Sequence, residues 1–257
     1  MIQLENISLY FIDKKEYILK DISWHIREGE NWVLFGRNGS GKSKLLEIIA
    51  GYRSASRGNV IRFNRGQAGT DIRELRKRIG YISTSLKDQF SPHEKIIDIL
   101  LSGVYASIGL YEDPDSTNRE KALRLLDIIG MIQRQSEPFN HFSDGEKQKI
   151  LLARAIIRDP DILILDEPSM ALDLGAREEV LATIERLQEH KRCSVIYVTH
   201  HTEEISPLFT KLFILHDSRC LHQGDVSGGI NNEMMSEIFR REITVVHMNG
   251  RFYSMVN

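Results

Sequence analysis

Eight residues, GRNGSGKS at positions 36–43, have the types and the spacing of a loop that binds phosphate. Glycines let backbone N–H groups curl around phosphate oxygens, and a following helix adds the positive end of its dipole. Lys42 would reach the outer phosphates of a nucleoside triphosphate, and the hydroxyl of Ser43 would hold Mg²⁺. A Gly-rich turn without a ligand is the alternative. The apolar run before the loop and the helical pattern after it favour the phosphate loop.

An acidic pair, in DILILDEP at positions 161–168, supplies the carboxylates that phosphate transfer needs. Four apolar residues precede Asp166 and Glu167, and Pro168 ends the strand-like run. Asp166 fits the role of ordering the metal, and Glu167 is placed to polarise a water for in-line attack. Two acids after a strand are weak evidence alone, but together with the phosphate loop they predict hydrolysis.

A third feature is HFSDGEKQKI at positions 141–150, where Ser143 and Glu146 have the spacing of a capping box at a helix start. A helix needs no function to have such a cap. Gly145, however, weakens the first turn by about 1 kcal/mol relative to alanine. We therefore expect some group to approach the backbone closely at Gly145.

These features must be positioned by a sheet and its helices. The first 30 residues alternate like antiparallel strands, and further strand-like runs occur at 31–35, 59–63, 79–83, 161–166, 193–199 and 211–216. Helical patterns occur at 174–190 and 203–209, and residues 92–158 read as helix after helix, with a cap at Asp115–Ser116. Strands that alternate with helices predict a parallel sheet covered on both faces. Asn249 and Gly250, between two alternating runs, predict a β-hairpin.

Bulk composition excludes several classes of protein. The net charge of −2 over 257 residues gives no broad basic face, so we expect no nucleic acid as a partner. The basic cluster at residues 73–78 is interpreted as a solvated helix face. The two cysteines, Cys193 and Cys220, are predicted to be reduced. Because the first ten residues lack the pattern of a signal peptide and no apolar run is long enough to span a bilayer, a soluble cytoplasmic protein is expected.

The phosphate loop, the serine-glycine helix start and the acidic strand, in this order, resemble the ATP-binding cassette (ABC) ATPases over nearly the whole chain. The family sequence Leu-Ser-Gly-Gly-Gln corresponds to residues 142–146. The resemblance implies that Ser143, Gly145 and Glu146 contact the γ-phosphate of ATP held by a second copy of the chain. It also implies nucleotide binding by a set of residues around the loop, namely Phe11, Gly36, Asn38, Gly39, Ser40, Gly41, Lys42, Ser43 and Lys44.

The same resemblance gives roles to residues later in the chain. His200 looks like the switch histidine that senses the γ-phosphate and helps to hold the attacking water, so Glu167 and His200 are the expected catalytic residues. His201, beside it, is interpreted as having no role in catalysis. Asp173 looks like the residue that communicates across the dimer. Ser43 and Asp166 are the expected ligands of Mg²⁺.

Several positions depart from the family pattern or have a rival. Thr84 stands where the family has a glutamine that bridges metal and water, and a threonine hydroxyl is too short to do so. Lys44 replaces a second hydroxyl near the α-phosphate. Asp144 puts a carboxylate near the incoming phosphate, which requires its side chain to point to solvent. Phe11 is the expected aromatic against adenine, with Tyr10 as its rival, and either also fits a core position.

The resemblance implies an α/β fold of the P-loop NTPase (RecA-like) kind, in which a mixed sheet has an antiparallel N-terminal part and an inserted α-helical subdomain. We expect a single domain over residues 1–257, with a nucleotide-binding core at about 1–85 and 159–257 and a helical subdomain at about 86–158.

The function expected is that of the ATP-hydrolysing subunit of an ABC transporter, with ATP and Mg²⁺ as cofactors. Its expected partners are a second copy of itself and separate membrane-spanning subunits, which would hold it at the inner face of the membrane. Two alternatives remain: a soluble ABC protein acting on nucleic acid or ribosomes, and a regulatory module that binds ATP without turnover. The C-terminal helix and hairpin faintly resemble those of metal-chelate importers.

Overall fold

The structure, a computed structural model, describes residues 1–11, 13, 15–63, 71–190 and 192–257. Its strands in chain order are β1 (Ile2–Phe11), β2 (Glu16–Ile26), β3 (Asn31–Phe35), β4 (Arg57–Arg62), β5 (Ile79–Ile82), β6 (Ile162–Asp166), β7 (Ser194–Thr199), β8 (Lys211–His216), β9 (Arg219–Asp225), β10 (Ile243–Met248) and β11 (Arg251–Val256). Its helices are α1 (Lys42–Ile49), α2 (Ile72–Lys77), α3 (Ile96–Tyr105), α4 (Ser116–Ile128), α5 (Asp144–Ile156), α6 (Leu174–His190), α7 (Val226–Gly229) and α8 (Asn232–Phe239). Short 3₁₀ turns occur at Leu86–Gln89, Ile132–Arg134, Phe139–His141 and Thr202–Glu204.

The chain forms two compact units, and the first comprises Met1–Arg76 and Ser194–Asn257. In this unit β1 pairs antiparallel with both β2 and β4. β3 lies between β7 and β8 and is parallel to both, and β9 runs antiparallel to β8. The predicted combination of an antiparallel N-terminal part with a parallel part is therefore confirmed.

The core of the first unit explains why β3 is almost wholly apolar. Residues 32–35 of this strand are at most 3 % exposed, as expected for a central parallel strand that is covered on both faces. Trp24 of β2 stacks on Phe213 of β8, with their ring centroids 4.4 Å apart, and contacts Trp32 edge-on at 5.3 Å. Burial of these aromatic rings joins the antiparallel strands to the strand that precedes the phosphate loop.

The C-terminal hairpin has the predicted turn. β10 and β11 pair in register from Ile243 with Val256 to Met248 with Arg251. Asn249 and Gly250, which connect them, have φ angles of 53° and 75°. Both central residues of a type I′ turn require positive φ, which is why Asn-Gly favours it.

The second unit, Lys77–Cys193, contains the helices that were predicted between residues 92 and 158. β5 and β6 pair in parallel in this unit. Arg154 of α5 is 9 % exposed and donates to Ser102 Oγ at 3.1 Å and to the Ser107 carbonyl at 2.6 Å. α4 begins after Asp115, whose carboxylate accepts from the Asn118 N–H at 2.7 Å, as the sequence predicted.

Two elements differ from the sequence prediction. The helix expected at residues 203–209 is wrong, because the chain makes only the 3₁₀ turn Thr202–Glu204 there. Pro207 has no N–H to donate within a helix, and the Glu204 side chain is buried instead of solvated. β9 was not predicted, because its sequence RCLHQGD lacks β-branched residues.

The division of the chain into a nucleotide-binding core and an inserted subdomain remains a prediction. Within the described parts of the chain, no helix combines the length and the apolar character needed to cross a membrane.

Candidate functional site

The phosphate loop follows β3 and requires its glycines. A Cβ on Gly36 would lie 2.3 Å from the carbonyl oxygen of Leu215, and a Cβ on Gly41 would lie 2.9 Å from that of Ile18. Gly41 also has φ of 104°, and Gly39 has φ of 81° with nothing within 4 Å of its Cβ position. The loop is therefore tightly packed against its own unit at Gly36 and Gly41, whereas no atom of the described residues lies close to the Cβ position of Gly39.

Lys42 begins α1 and is only 5 % exposed. Its ammonium group donates to the carbonyl oxygens of Gly36 at 2.8 Å and of Arg37 at 3.0 Å. The side chain therefore curls back over the loop, and both carbonyls hold the ammonium at the rim of the loop.

Polar groups at this loop fit a phosphate ligand. The Ser40 hydroxyl oxygen is buried and has no hydrogen-bond partner among the described residues. The first amides of α1 have no acceptor within the helix, and they carry the positive end of the helix dipole. Asn38, Gly39 and Ser43 are exposed. A glycine loop with a buried cation, unsatisfied donors and an accessible surface matches the chemistry of a triphosphate.

Lys44 is held by Glu47, a neighbour on its own helix. Its ammonium group lies 2.6 Å from Glu47 Oε1, and Arg53 Nε lies 2.7 Å from Glu47 Oε2. Burial opposes ionisation of Glu47, but hydrogen bonds from Lys44 and Arg53 lower the pKa of its carboxyl below the ordinary value. Lys44 thus points into an ion-pair network.

The two candidate aromatic residues have different surroundings. Phe11 ends β1, is half-buried and lies 6.0 Å from the Arg53 guanidinium. Tyr10 is 37 % exposed and packs edge-on against Tyr17 with ring centroids 5.0 Å apart. Both rings therefore have a neighbour within the unit, and Phe11 remains the prediction for adenine stacking, with Tyr10 as its rival.

His200 follows β7 directly and is half-buried. Its ring centroid lies 4.2 Å from that of His201. His201 Nδ1 is 3.3 Å from Glu203 Oε1, so this neighbour is engaged locally. The phosphate loop, Phe11 and His200 all belong to the first unit.

The acidic residues belong to the second unit, at the end of β6. All five residues of β6 are buried, and Asp166 is 4 % exposed. Glu167 is half-buried and has φ of 50°, in the left-handed region. A pocket in this unit is lined by Ser83, Thr84, Lys87, Asp144, Gln148, Asp166, Glu167, Pro168, Met170, Ala171 and Leu172. The structure therefore brings Thr84 to the same pocket as the two carboxylates.

The start of α5 has the predicted capping box. The Glu146 N–H donates to Ser143 Oγ at 3.3 Å, and the Ser143 N–H donates to Glu146 Oε2 at 2.8 Å. Arg134 donates to Glu146 Oε1 at 2.7 Å, and its guanidinium lies 4.0 Å from the Phe142 ring. Sequence reasoning missed Arg134, because nothing in the spacing links it to Glu146.

Gly145 has a structural reason that the sequence did not reveal. Its Cβ position lies 2.9 Å from the Cβ of Ala176 on α6. In the chain itself, the group that approaches this glycine is therefore a neighbouring helix. Access for a phosphate at Gly145 stays a prediction.

Asp144 and Asp173 both have partners within the second unit. The Asp144 side chain is 52 % exposed and lies 3.5 Å from Lys87 Nζ and 3.8 Å from Lys147 Nζ. The side chain is thus largely exposed although the residue also lines the pocket of Asp166 and Glu167, and two ammonium groups offset its charge. Asp173 Oδ1 accepts from the Ala176 N–H at 2.8 Å, so it also caps the start of α6.

Comparison with a solved structure defines the class of this protein. The post-hydrolysis dimer of the ATP-binding cassette MJ0796 with ADP and Pi is 25 % identical, with a TM-score of 0.74 over 88 % of this chain and 99 % of that chain. The α/β fold is that of a P-loop NTPase cassette, and the protein is an ATPase.

Sequence comparisons then give the family. The sequence model of the ABC transporter family matches residues 19–170. An uncharacterised ABC transporter ATP-binding protein of Bacillus subtilis (strain 168), YlmA, is 40 % identical over 98 % of this chain and 95 % of its own. YmeB of Lactococcus lactis subsp. lactis (strain IL1403), with the same description, is 32 % identical over 98 % of this chain and 97 % of its own. The chain belongs to the ABC transporter family and is an ATP-binding subunit of that kind.

Proposed function

We propose that this ATPase works as one of two identical subunits that close around two molecules of ATP and drive transport through separate membrane-spanning subunits. The observation that most supports the pairing is the start of α5. Ser143 is exposed there, and its hydroxyl oxygen accepts from its own helix. A hydroxyl that accepts one hydrogen bond can still donate its proton. Ser143 can therefore cap α5 and donate to a phosphate oxygen on a second copy.

The phosphate loop is the proposed site of the triphosphate in each copy. Lys42 supplies the positive charge, and the amides of residues 39–43 supply donors. Mg²⁺ is the proposed metal. The Ser43 hydroxyl and the Asp166 carboxylate are its proposed ligands, since Mg²⁺ prefers oxygen donors and is bound by few protein groups when phosphates complete its shell. When bound, Mg²⁺ would neutralise charge on the phosphate oxygens.

Glu167 and His200 are the proposed catalytic residues. Glu167 lies one residue past Asp166, and its carboxylate would orient and polarise the attacking water. His200 would donate to the γ-phosphate and help to hold that water in line. Asp173 is proposed to pass the state of one site to the other, and the aromatic ring of Phe11 to stack on adenine.

Replacement of Glu167 by glutamine tests the hydrolysis and the pairing together. Glu167→Gln preserves shape but cannot act as a base, so ATP should bind while turnover falls by at least about 100-fold. The uncleaved ATP should then hold two chains together, as measured by light scattering with and without ATP. Glu189→Gln, an exposed residue on α6, is the matched control and should behave like the parent. Turnover at the parental rate in Glu167→Gln would remove Glu167 from its role.

Separate membrane subunits are proposed because the chain belongs to the ABC transporter family and contains no spanning helix among its described residues. The chain would then lie at the cytoplasmic face of the membrane through those subunits. The test is isolation of the tagged chain from detergent-solubilised membranes, with Glu167→Gln and ATP added to trap the complex. If the parent and Glu167→Gln with ATP were both recovered only from the soluble fraction, the proposal would be contradicted.

A further inference from the structure

The short segment after β7 contains a buried carboxylate that no role above uses. Glu204 closes the 3₁₀ turn Thr202–Glu204 and is 2 % exposed, and Thr199 at the end of β7 is 1 % exposed. His200 lies between them. A carboxylate is costly to bury unless hydrogen bonds replace those it made with water. The residues that donate to Glu204 therefore indicate what it holds in place.

Hydroxyl groups supply those hydrogen bonds. The Tyr197 hydroxyl donates to Glu204 Oε2 at 3.2 Å, and the Thr199 hydroxyl donates to the same oxygen at 2.5 Å. The His201 N–H in turn donates to Thr199 Oγ1 at 2.9 Å. Because a hydroxyl has a single proton, donation to Glu204 directs a lone pair of Thr199 at the His201 amide. This series of bonds fixes the peptide that follows His200.

The C-terminal hairpin braces the same turn from the other side. Thr202, 2 % exposed, donates from Oγ1 to Ser254 Oγ at 3.0 Å, and Arg251 Nη1 donates to the Glu203 carbonyl at 3.3 Å. At the hairpin turn, a Cβ on Gly250 would lie 3.1 Å from Pro207 Cγ. The hairpin therefore contacts the chain on both sides of Glu204.

We propose that Glu204, acting through Thr199 and braced by the C-terminal hairpin, positions His200 for ATP hydrolysis. This inference rests on the proposed role of His200. Glu204 touches no ligand in this proposal, and its effect is to restrict the imidazole to one orientation before ATP binds. Hydrolysis then needs no rearrangement of the loop at the moment of reaction.

Thr199→Val and Thr199→Ser form a matched pair of variants. Valine keeps the shape but removes the hydroxyl, whereas serine keeps the hydroxyl and loses a methyl group. We expect Thr199→Val to lower kcat by about tenfold with little change in KM for ATP, and Thr199→Ser to stay within about twofold of the parent. A purely structural role would lower the melting temperature of both variants and leave kcat per folded molecule unchanged.

A second measurement needs no nucleotide. The imidazole resonances of His200, assigned by comparison with His200→Ala, report its orientation in the free protein. They should shift or broaden in Thr199→Val and remain in place in Thr199→Ser. A folded Thr199→Val with parental kcat and unchanged His200 resonances would overturn the proposal.

The hairpin is tested by Ser254→Ala, which also serves if Thr199→Val does not fold. Its matched control is Thr244→Ala, which removes the exposed bond from Thr244 Oγ1 to Asn257 Oδ1 in the same hairpin. We expect Ser254→Ala to shift the His200 resonances and lower kcat by about threefold, with no effect in Thr244→Ala. If both variants behave like the parent, the C-terminal hairpin does not help to position His200.

His200→Ala separates this inference from the proposed function. Parental turnover in His200→Ala would remove His200 from catalysis and with it the basis of the inference. Loss of turnover in His200→Ala together with parental turnover in Thr199→Val and Ser254→Ala would leave His200 in its role and refute the positioning.

Discussion

Thr84 lines a pocket that Asp166 and Glu167 also line. A threonine oxygen sits one bond from Cβ, whereas a glutamine amide extends two carbons further into the pocket. At this position the side chain is exposed, so a longer residue fits without repacking the core.

We expect Thr84→Gln to raise basal ATPase by about two- to fivefold and to lower the Mg²⁺ concentration needed for half-maximal rate, because the amide can reach metal and water. Ser85→Gln is the control, since Ser85 is exposed and does not line the pocket. Steady-state ATPase over a Mg²⁺ titration provides the measurement. A flat rate with an unshifted titration would mean that another residue fills this role.

At the scale of elements, the start of α5 combines a cap with an ion pair. Burial opposes ionisation of Glu146, but hydrogen bonds from the Ser143 N–H and from Arg134 lower the pKa of its carboxyl below the ordinary value. A carboxyl with a lowered pKa in the folded state stabilises that state above its unfolded pKa of about 4.3. This contribution is lost as the pH falls through the lower, folded value.

Glu146→Gln should therefore change the dependence of stability on pH. The amide oxygen still accepts from the Ser143 N–H, but the charge opposite Arg134 is gone, so we expect a loss of about 0.5 kcal/mol at pH 7. The difference from the parent should shrink as the pH falls from about 5 to about 3. Urea unfolding at several pH values measures this, with Glu189→Gln as control. A difference that stays constant with pH would contradict the ion pair.

Elements whose signals are local could be predicted from the sequence. The phosphate loop, the capping box at Ser143 and the Asn249-Gly250 turn each depend on a few adjacent residues whose backbone preferences agree with the fold. The turn Thr202–Glu204 could not be predicted, because burial of Glu204 depends on Tyr197 and on the distant hairpin.

At the candidate site, too, contacts with other elements could not be predicted from the sequence. Spacing identified Gly145 as unusual, but its neighbour Ala176 comes from another helix and is invisible in the sequence. The bond from Arg134 to Glu146 depends on how α5 packs. The pairing of β9 with β8 could not be predicted because β9 contains no β-branched residue. Contacts between distant segments were therefore the part that only the structure supplied.

At the scale of the whole molecule, the proposed pair contains two sites, each built from the phosphate loop of one copy and the Ser143 of the other. A two-fold symmetric pair repeats the same contact on both sides. Lys42→Ala would damage a site from the side of its own loop, and Ser143→Arg would damage one from the opposite side by bulk.

Each of these variants alone should form no intact site, whereas a mixture should form heterodimers with one intact site. We therefore expect ATP-dependent pairing and a part of the ATPase to reappear on mixing. Ser143→Ala removes the cap and the proposed phosphate contact without adding bulk, and its stability, expected to fall by about 1 kcal/mol, shows how much of the effect of Ser143→Arg comes from loss of the cap. Light scattering and ATPase of the mixtures provide the measurement. Persistent ATPase in Ser143→Arg alone, with no gain on mixing, would show that Ser143 only caps its helix.

The proposed catalytic role of Glu167 has a cost in stability at the same position. Its φ of 50° is held by a turn in which the Met170 N–H donates to its carbonyl at 3.1 Å. A residue with a Cβ is strained there, whereas glycine is not. Glu167→Gly should thus be about 0.5–1 kcal/mol more stable to unfolding than Glu167→Gln, and we expect both variants to have strongly reduced ATPase. Glu189→Gly, within a helix, should instead lose about 1 kcal/mol. Selection for the carboxylate would then have kept the enzyme below the stability that its own backbone permits.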